Sequence, residues 1–203
     1  MVDAETLVSL GTSTLYEASG LRTALDPAIR PVWAGAAMAG PAYPLACPPN
    51  DNLAIHYALE RAPAGSILVV DAQGHLGGFW GEVLTVAAEA RGVVGLVIDG
   101  AVRDVAALRQ RVFPVFSRGV CMRGTVKGAA PVVGGPIVVG GVAVAPGDTI
   151  VADDDGVLAL PAAAVEKTVA QARARADKEA AMMERLRNGE TTVSILGLSR
   201  LPS

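Results

Sequence analysis

Arg103 and Asp104 close the run Ile98-Asp99-Gly100-Ala101-Val102-Arg103-Asp104, and they are the residues hardest to explain as packing. Arginine presents a planar fork of donors matched to a carboxylate. Aspartate presents a hard oxygen to a divalent cation such as Mg²⁺, which takes one or two protein carboxylates and keeps several waters. If Asp104 opens a helix, the two adjacent side chains diverge, which argues against a simple mutual salt bridge. A further contribution comes from Gly81-Glu82, where a helix begins and its first backbone N–H groups are free to hold an anion. Together these groups would hold a small oxo-acid, its carboxylate on Arg103 and the amides, its keto oxygen on the metal. The same run would also serve merely to cap a helix and pair at the surface, and spacing alone leaves both readings open.

The surrounding elements must bring these groups together. An alanine-rich helix is expected from Glu82 to Arg91, ended by Gly92 as a left-handed cap. Val93–Ile98 is a short apolar run of the kind buried on both faces of a sheet, and Ser66–Asp71 is another strand. Right-handed crossovers put the loops after successive strands at one sheet edge. The glycine-rich turn at 78–82 and the polar turn at 99–104 should therefore meet. Upstream, helices are expected at 3–10 and 13–19, irregular chain at 25–34, and a strand at 36–42 that ends in a proline-rich turn at 41–49. His56 reads as a packing or surface residue on the helix that follows, and His75 as a loop residue. Gly74, Gly77 and Gly78 lack nucleotide-fingerprint spacing, and no Walker lysine follows. Beyond Asp104 come a helix to about Arg111 and a strand at Pro114–Ser117. From 125 to 160 the chain reads as short strands and tight turns. Asp153-Asp154-Asp155-Gly156 lacks EF-hand ligand spacing, so it reads as a hairpin turn. Pro161 then opens a long helix over 162–189, with Gly189 as its stop.

Gly81-Glu82, the Asp-Gly-x-x-Arg-Asp run at 99–104 and Phe113-Pro114-Val115-Phe116-Ser117-Arg118-Gly119 resemble the 4-hydroxy-4-methyl-2-oxoglutarate aldolase family, which also includes the regulator of ribonuclease activity A. Twenty residues separate Glu82 from Arg103, as the family's acid-then-Arg-Asp pattern asks. The likeness runs from about Asp51 to about Gly189. It implies an α/β chain with the β/β/α swivelling-domain-like (RraA-like) fold, a single domain over 1–203 with an N-terminal helical segment at 1–35 and a C-terminal helix at 162–189. It further implies homotrimers or hexamers with sites in clefts between subunits. Carried over by position, Asp104 would ligate Mg²⁺ or Mn²⁺, Arg103 would bind the substrate's carboxylate and keto oxygen, and Gly81, Glu82, Val83 and Leu84 would contribute backbone contacts. Glu82, where aldolases of the family carry aspartate, would hold metal-bound water. Glu179 from a neighbouring subunit, or in reserve Glu184, would complete the site. The implied activity is a lyase that releases pyruvate from 4-hydroxy-2-oxo acids and decarboxylates oxaloacetate. The family's other implication is a non-catalytic regulator that binds a ribonuclease complex; it resembles a shorter chain without the long final helix. A methyltransferase finds no nucleotide fingerprint here. A Schiff-base aldolase would need a buried lysine. The chain has only Lys127, in a glycine-rich turn, and Lys167 and Lys178 on the final helix.

Composition sets outer bounds. A chain of 203 residues is long enough for one sizeable core. Hydrophobic residues make up 51% and the mean hydropathy is +0.41, yet no stretch approaches the roughly 20 apolar residues that span a bilayer. Extensive interfaces between copies are the expected outlet for that apolar surface. A net charge of −3 offers no footprint for nucleic acid. The start of the chain lacks the pattern of a signal peptide. Cys47 and Cys121 have no metal or redox spacing, so free thiols in a reducing cytoplasm are expected.

Overall fold

In the computed structural model, which describes residues 2–199, two short helices come first: α1 (Ala4–Leu10) and α2 (Thr12–Ser19). Asp3 caps α1 by accepting from Thr6 N–H at 2.7 Å, and Gly20 closes α2 in the left-handed region. After β1 (Arg30–Pro31) comes β2 (Met38–Ala46), longer than expected because it runs straight through Pro41 and Pro44. It changes partners on the way. Residues 38–41 pair antiparallel with a late strand and residues 42–46 pair parallel with the next one, so Pro41 sits at the switch.

Next come α3 (Leu53–Arg61), β3 (Ile67–Asp71), β4 (Gly78–Trp80), α4 (Glu82–Ala90), β5 (Gly95–Val102), α5 (Val105–Gln110) and β6 (Val115–Val120). Two expectations are corrected here. The glycine-rich stretch at 78–80 is itself a strand, and β5 continues four residues past Ile98. The two corrections have one cause: β4 pairs with Ala101 and Val102 on one side while β6 pairs with them on the other. Asp99 stays inside the strand because its carboxylate meets Arg118, which also reaches Asp26 at 2.9 Å.

The late strands are β7 (Val132–Val133), β8 (Ile137–Val139), β9 (Val142–Val144), β10 (Thr149–Asp153) and β11 (Gly156–Leu160). Around the sheet the order is β1-β6-β5-β3-β2-β10-β11, parallel from β6 to β2 and antiparallel elsewhere. Residues 23–31 nearly close it into a barrel. Leu25 N–H and Thr23 C=O bond to β11 while Arg30 and Pro31 pair with β6. This is the RraA-like α/β fold that the sequence resembles.

One core lies between the sheet and α3, α4 and α5, around Trp80, Phe79, Leu96 and Phe113. A second fills the barrel, with Val69, Val97, Phe116 and Ile150. The third sits beneath α1, α2 and α6 (Val165–Arg187), which a short 3₁₀ turn at Ala162–Ala164 precedes. Helix α6 buries Val165, Thr168, Val169 and Ala172; from residue 173 to its end no residue is buried by its own chain. The aspartates at the β10–β11 turn are spent internally. Asp153 accepts from Thr12, Asp155 from Ser13, and Asp154 from Gly35 N–H.

Candidate active site

The two polar turns do meet, and more closely than the spacing suggested. Asp104 adopts the left-handed conformation (φ 59°, ψ 35°), uncommon for a residue with a Cβ. Its carbonyl starts α5 by accepting from Ala107 and Leu108, but its side chain crosses to α4 and accepts from Glu82 N–H at 3.0 Å. The anion first held by the start of α4 is therefore the chain's own carboxylate. Gly81 makes this possible through space, not dihedral freedom, because its backbone is simply extended. A Cβ there would overlap Asp104 Oδ2 and come within 3.1 Å of Arg103 Cγ. Behind it, Trp80 Nε1–H donates to Thr85 Oγ1 at 2.8 Å, and Thr85 donates to Gly81 C=O at 3.1 Å, which fixes the entry of α4.

Arg103 is anchored by its own N–H donating to Trp80 C=O at 2.8 Å, and its side chain lies along Gly78, Gly81 and Gly124. Its Nε is 3.7 Å from Asp104 Oδ2, beyond hydrogen-bond length, and both side chains are nearly half exposed. The guanidinium fork is thus left for a ligand. Glu82 N–H is taken, while Val83 and Leu84 N–H groups have no backbone acceptor. Asp104 Oδ1 makes no hydrogen bond among the described residues, where no group of three His, Cys, Asp or Glu gathers either. One open carboxylate oxygen does not suit zinc, which wants three or four protein ligands. It does suit Mg²⁺ or Mn²⁺, held by one carboxylate and otherwise by water and substrate oxygens.

These residues line a pocket of about 290 Å³, at the small end for ligand sites. Its opposite wall went unrecognised in the sequence: Asn52, His56 and Lys127. Asn52 Nδ2 donates to Phe79 C=O at 2.8 Å, so its Oδ1 points elsewhere, buried and without a partner. His56, one turn along α3, has its Nε2 buried and unpaired as well. Each such atom costs about 1–3 kcal/mol unless something answers it. Burial, with the Lys127 cation second, pushes the His56 imidazole below its usual pKa, so it favours the neutral form. The loop carrying Lys127 is pinned. Gly128 and Ala129 N–H donate to Asp51 Oδ2 at 2.5 and 2.9 Å, and Asn52 N–H donates to Val126 C=O at 3.1 Å.

Two expected participants lie elsewhere in this chain. The Glu82 carboxylate accepts from Arg111 at 3.1 and 3.2 Å, and Arg111 also donates to Glu89 at 3.0 Å, so Glu82 brings its backbone to the site. Glu179 pairs with Arg175 at 2.8 Å on α6, away from the pocket lining; Arg175 meets Glu17 too. Glu184 pairs with Arg187 at 3.3 Å. His75 packs edge-on against Phe79 and does not line the pocket.

Comparison with known proteins agrees with this geometry. A family model described as RraA-like, Aldolase/RraA, matches residues 3–159. A protein of Halalkalibacterium halodurans, provisionally named 4-hydroxy-4-methyl-2-oxoglutarate aldolase, is 33% identical over 174 residues, 85% of this chain and 83% of that one. A protein of Burkholderia multivorans with the same provisional name is 39% identical over 142 residues, covering 70% and 86%. Among solved structures, the RNA-processing inhibitor RraA of Thermus thermophilis is similar with a TM-score of 0.67 and 32% identity, over 74% of this chain and 92% of that one.

Proposed function

The chain belongs to the RraA-like family, Aldolase/RraA, and from that premise we propose that it is a lyase. It would be a divalent-metal-dependent aldolase that cleaves 4-hydroxy-4-methyl-2-oxoglutarate-type 4-hydroxy-2-oxo acids to pyruvate and decarboxylates oxaloacetate at the same site. One observation carries the reading: Arg103 and Asp104 share a pocket with the uncommitted amides of α4, a free guanidinium beside a free carboxylate oxygen.

In this reading Arg103 and the Val83 and Leu84 amides bind the substrate's C1 carboxylate, which orients the C2 carbonyl. A Mg²⁺ or Mn²⁺ ion held by Asp104 supplies Lewis-acid stabilisation of the C2 oxygen, worth several kcal/mol in sites of this kind. The Arg103 charge beside that oxygen stabilises it as the C3–C4 bond breaks. The bond's electron pair passes to the pyruvate enolate, and the C4 hydroxyl loses its proton as C4–O becomes a carbonyl. That proton leaves through water oriented by Glu82, once released from Arg111, and by Glu179 of the partner subunit in a homotrimer or hexamer. The proton finally added at C3 completes pyruvate. Oxaloacetate needs no base, because loss of CO₂ gives the same enolate. The exposed second half of α6 supports an assembly in which that helix reaches a neighbour. Free Cys47 and Cys121 agree with a cytoplasmic setting. No helix among the described residues is long and apolar enough to cross a membrane.

The second reading, a regulator binding a ribonuclease complex, draws support from the likeness to the RraA inhibitor. Pyruvate release, coupled to lactate dehydrogenase, separates the two. The aldolase reading expects release from 4-hydroxy-4-methyl-2-oxoglutarate and from oxaloacetate, above the metal-only blank and abolished by chelator. It expects Asp104→Ala to abolish both reactions. Folded, oligomeric protein that releases none would turn the assignment to the regulator.

A further inference from the structure

The pocket has two polar ends, and only the Arg103–Asp104 end is accounted for by the pyruvyl group. At the other end Asn52, itself 5% exposed, turns an unpartnered Oδ1 to a pocket wall it shares with His56, whose Nε2 is also unpartnered. The Asn52 amide cannot flip freely, because its Nδ2 is committed to Phe79 C=O at 2.8 Å. A fixed oxygen can only accept, so it is matched by a hydroxyl donor. Lys127 stands at the same wall and makes no salt bridge among the described residues. Asp51, the acid that faces its loop, is committed to the amides of Leu53, Gly128 and Ala129. The backbone beside Lys127 is held by those bonds and by Val126 N–H donating to Asn50 C=O at 2.8 Å. An anchored lysine without a carboxylate partner is matched by an anion.

We propose that Asn52, His56 and Lys127 form a distal subsite for a carbon that carries both a hydroxyl and a carboxylate. The hydroxyl donates to Asn52 Oδ1, the carboxylate accepts from Lys127, and the His56 imidazole supplies a third hydrogen bond. Resting on the aldolase reading, this assigns substrate selection to the chain's own residues. The preferred substrates are dianions held at both ends, a 2-oxo acid on Arg103 and a 2-hydroxy-carboxylate on Lys127. A 4-hydroxy-2-oxo acid whose far end is only an alkyl group would leave the lysine and the amide oxygen unanswered, and sites built for hydrogen bonds reject such analogues strongly.

Binding measured by titration calorimetry with Mg²⁺ tests this without turnover. The probes are pyruvate, which reaches only the Arg103 end, citramalate, which carries the hydroxyl and carboxylate on one carbon, and methylsuccinate, which lacks that hydroxyl. Lys127→Met is expected to weaken citramalate by about 10-fold or more, pyruvate by less than about 2-fold, and Lys127→Arg to retain both. Methylsuccinate is expected to bind the unaltered protein about 5-fold or more below citramalate. Citramalate that does not bind, binds without regard to Lys127, or binds no better than methylsuccinate overturns the subsite. Equal weakening of pyruvate and citramalate by Lys127→Met does so too. Selective citramalate binding without any pyruvate binding would uphold the subsite and overturn the aldolase reading instead.

Discussion

Replacing Asp104 by glycine and by alanine separates its structural role from its chemical one. Each substitution removes the oxygen that accepts from Glu82 N–H, a cap worth about 1 kcal/mol plus about 0.3–1 kcal/mol for a negative charge at a helix start. That loss is common to the pair. They differ at φ 59°, where a Cβ costs about 1–2 kcal/mol and glycine costs none. Glycine gives back about 0.5–1 kcal/mol through its more mobile unfolded chain. Asp104→Gly should therefore be about 0.5–1 kcal/mol more stable than Asp104→Ala. For a chain of 203 residues that is a melting-temperature difference of about 1–4 °C, read at equal protein concentration by thermal unfolding. Pyruvate release should be lost in both. An alanine variant as stable as the glycine variant would refute the account of the backbone. Metal-dependent turnover in either would refute Asp104 as the carboxylate of the site.

Gly81→Ala should cost both pyruvate release and about 1 kcal/mol of stability, because the new Cβ drives Asp104 off Glu82 N–H. In an Asp104→Gly background the same change should cost much less, and a double-mutant cycle without coupling would sink the argument. Arg111→Met should shift denaturant stability by less than about 1 kcal/mol, since its pairs with Glu82 and Glu89 are partly exposed. It should leave or raise pyruvate release, whereas a large fall would mean the pair is needed to build the site. His56 has a folded pKa below its unfolded value of 6.5, chiefly through burial, so the stability tied to its neutral form is present above about pH 6.5 and lost as pH falls through the folded value. His56→Gln should remove that component. Urea unfolding between pH 7 and pH 5 should show the unaltered protein losing more stability than the variant, and equal losses would contradict the depressed pKa.

The meeting of Glu82 and Asp104 could be read from crossover geometry alone, because parallel strands with right-handed connections leave few places for the following loops. What could not be read was which atoms meet. Aspartate enters the left-handed region without a sequence signal, and that single dihedral aims its carboxylate at α4 instead of along α5. Strand ends were misjudged for a similar reason. The last residues of β5 are strand because β4, twenty residues earlier, supplies a partner that composition does not announce. The far wall of the pocket escaped notice through α3. Its large apolar residues make no clean stripe, since two alanines, Ala54 and Ala58, share the buried face with Ile55 and Leu59. With the packing face hidden in small residues, the side on which Asn52 and His56 fall could not be assigned.

The contact between Gly81 and Asp104 ties together two positions twenty-three residues apart in sequence. While the acid is present, position 81 cannot accept a side chain, and the chain is confined to glycine there whatever its neighbours become. Descendants of this fold that abandon the acid are released from that restriction and can drift at 81 without loss. The pair thus behaves as a historical record. A chain with glycine and aspartate at these places has kept the machinery under selection, and one that has filled 81 has already let the carboxylate go.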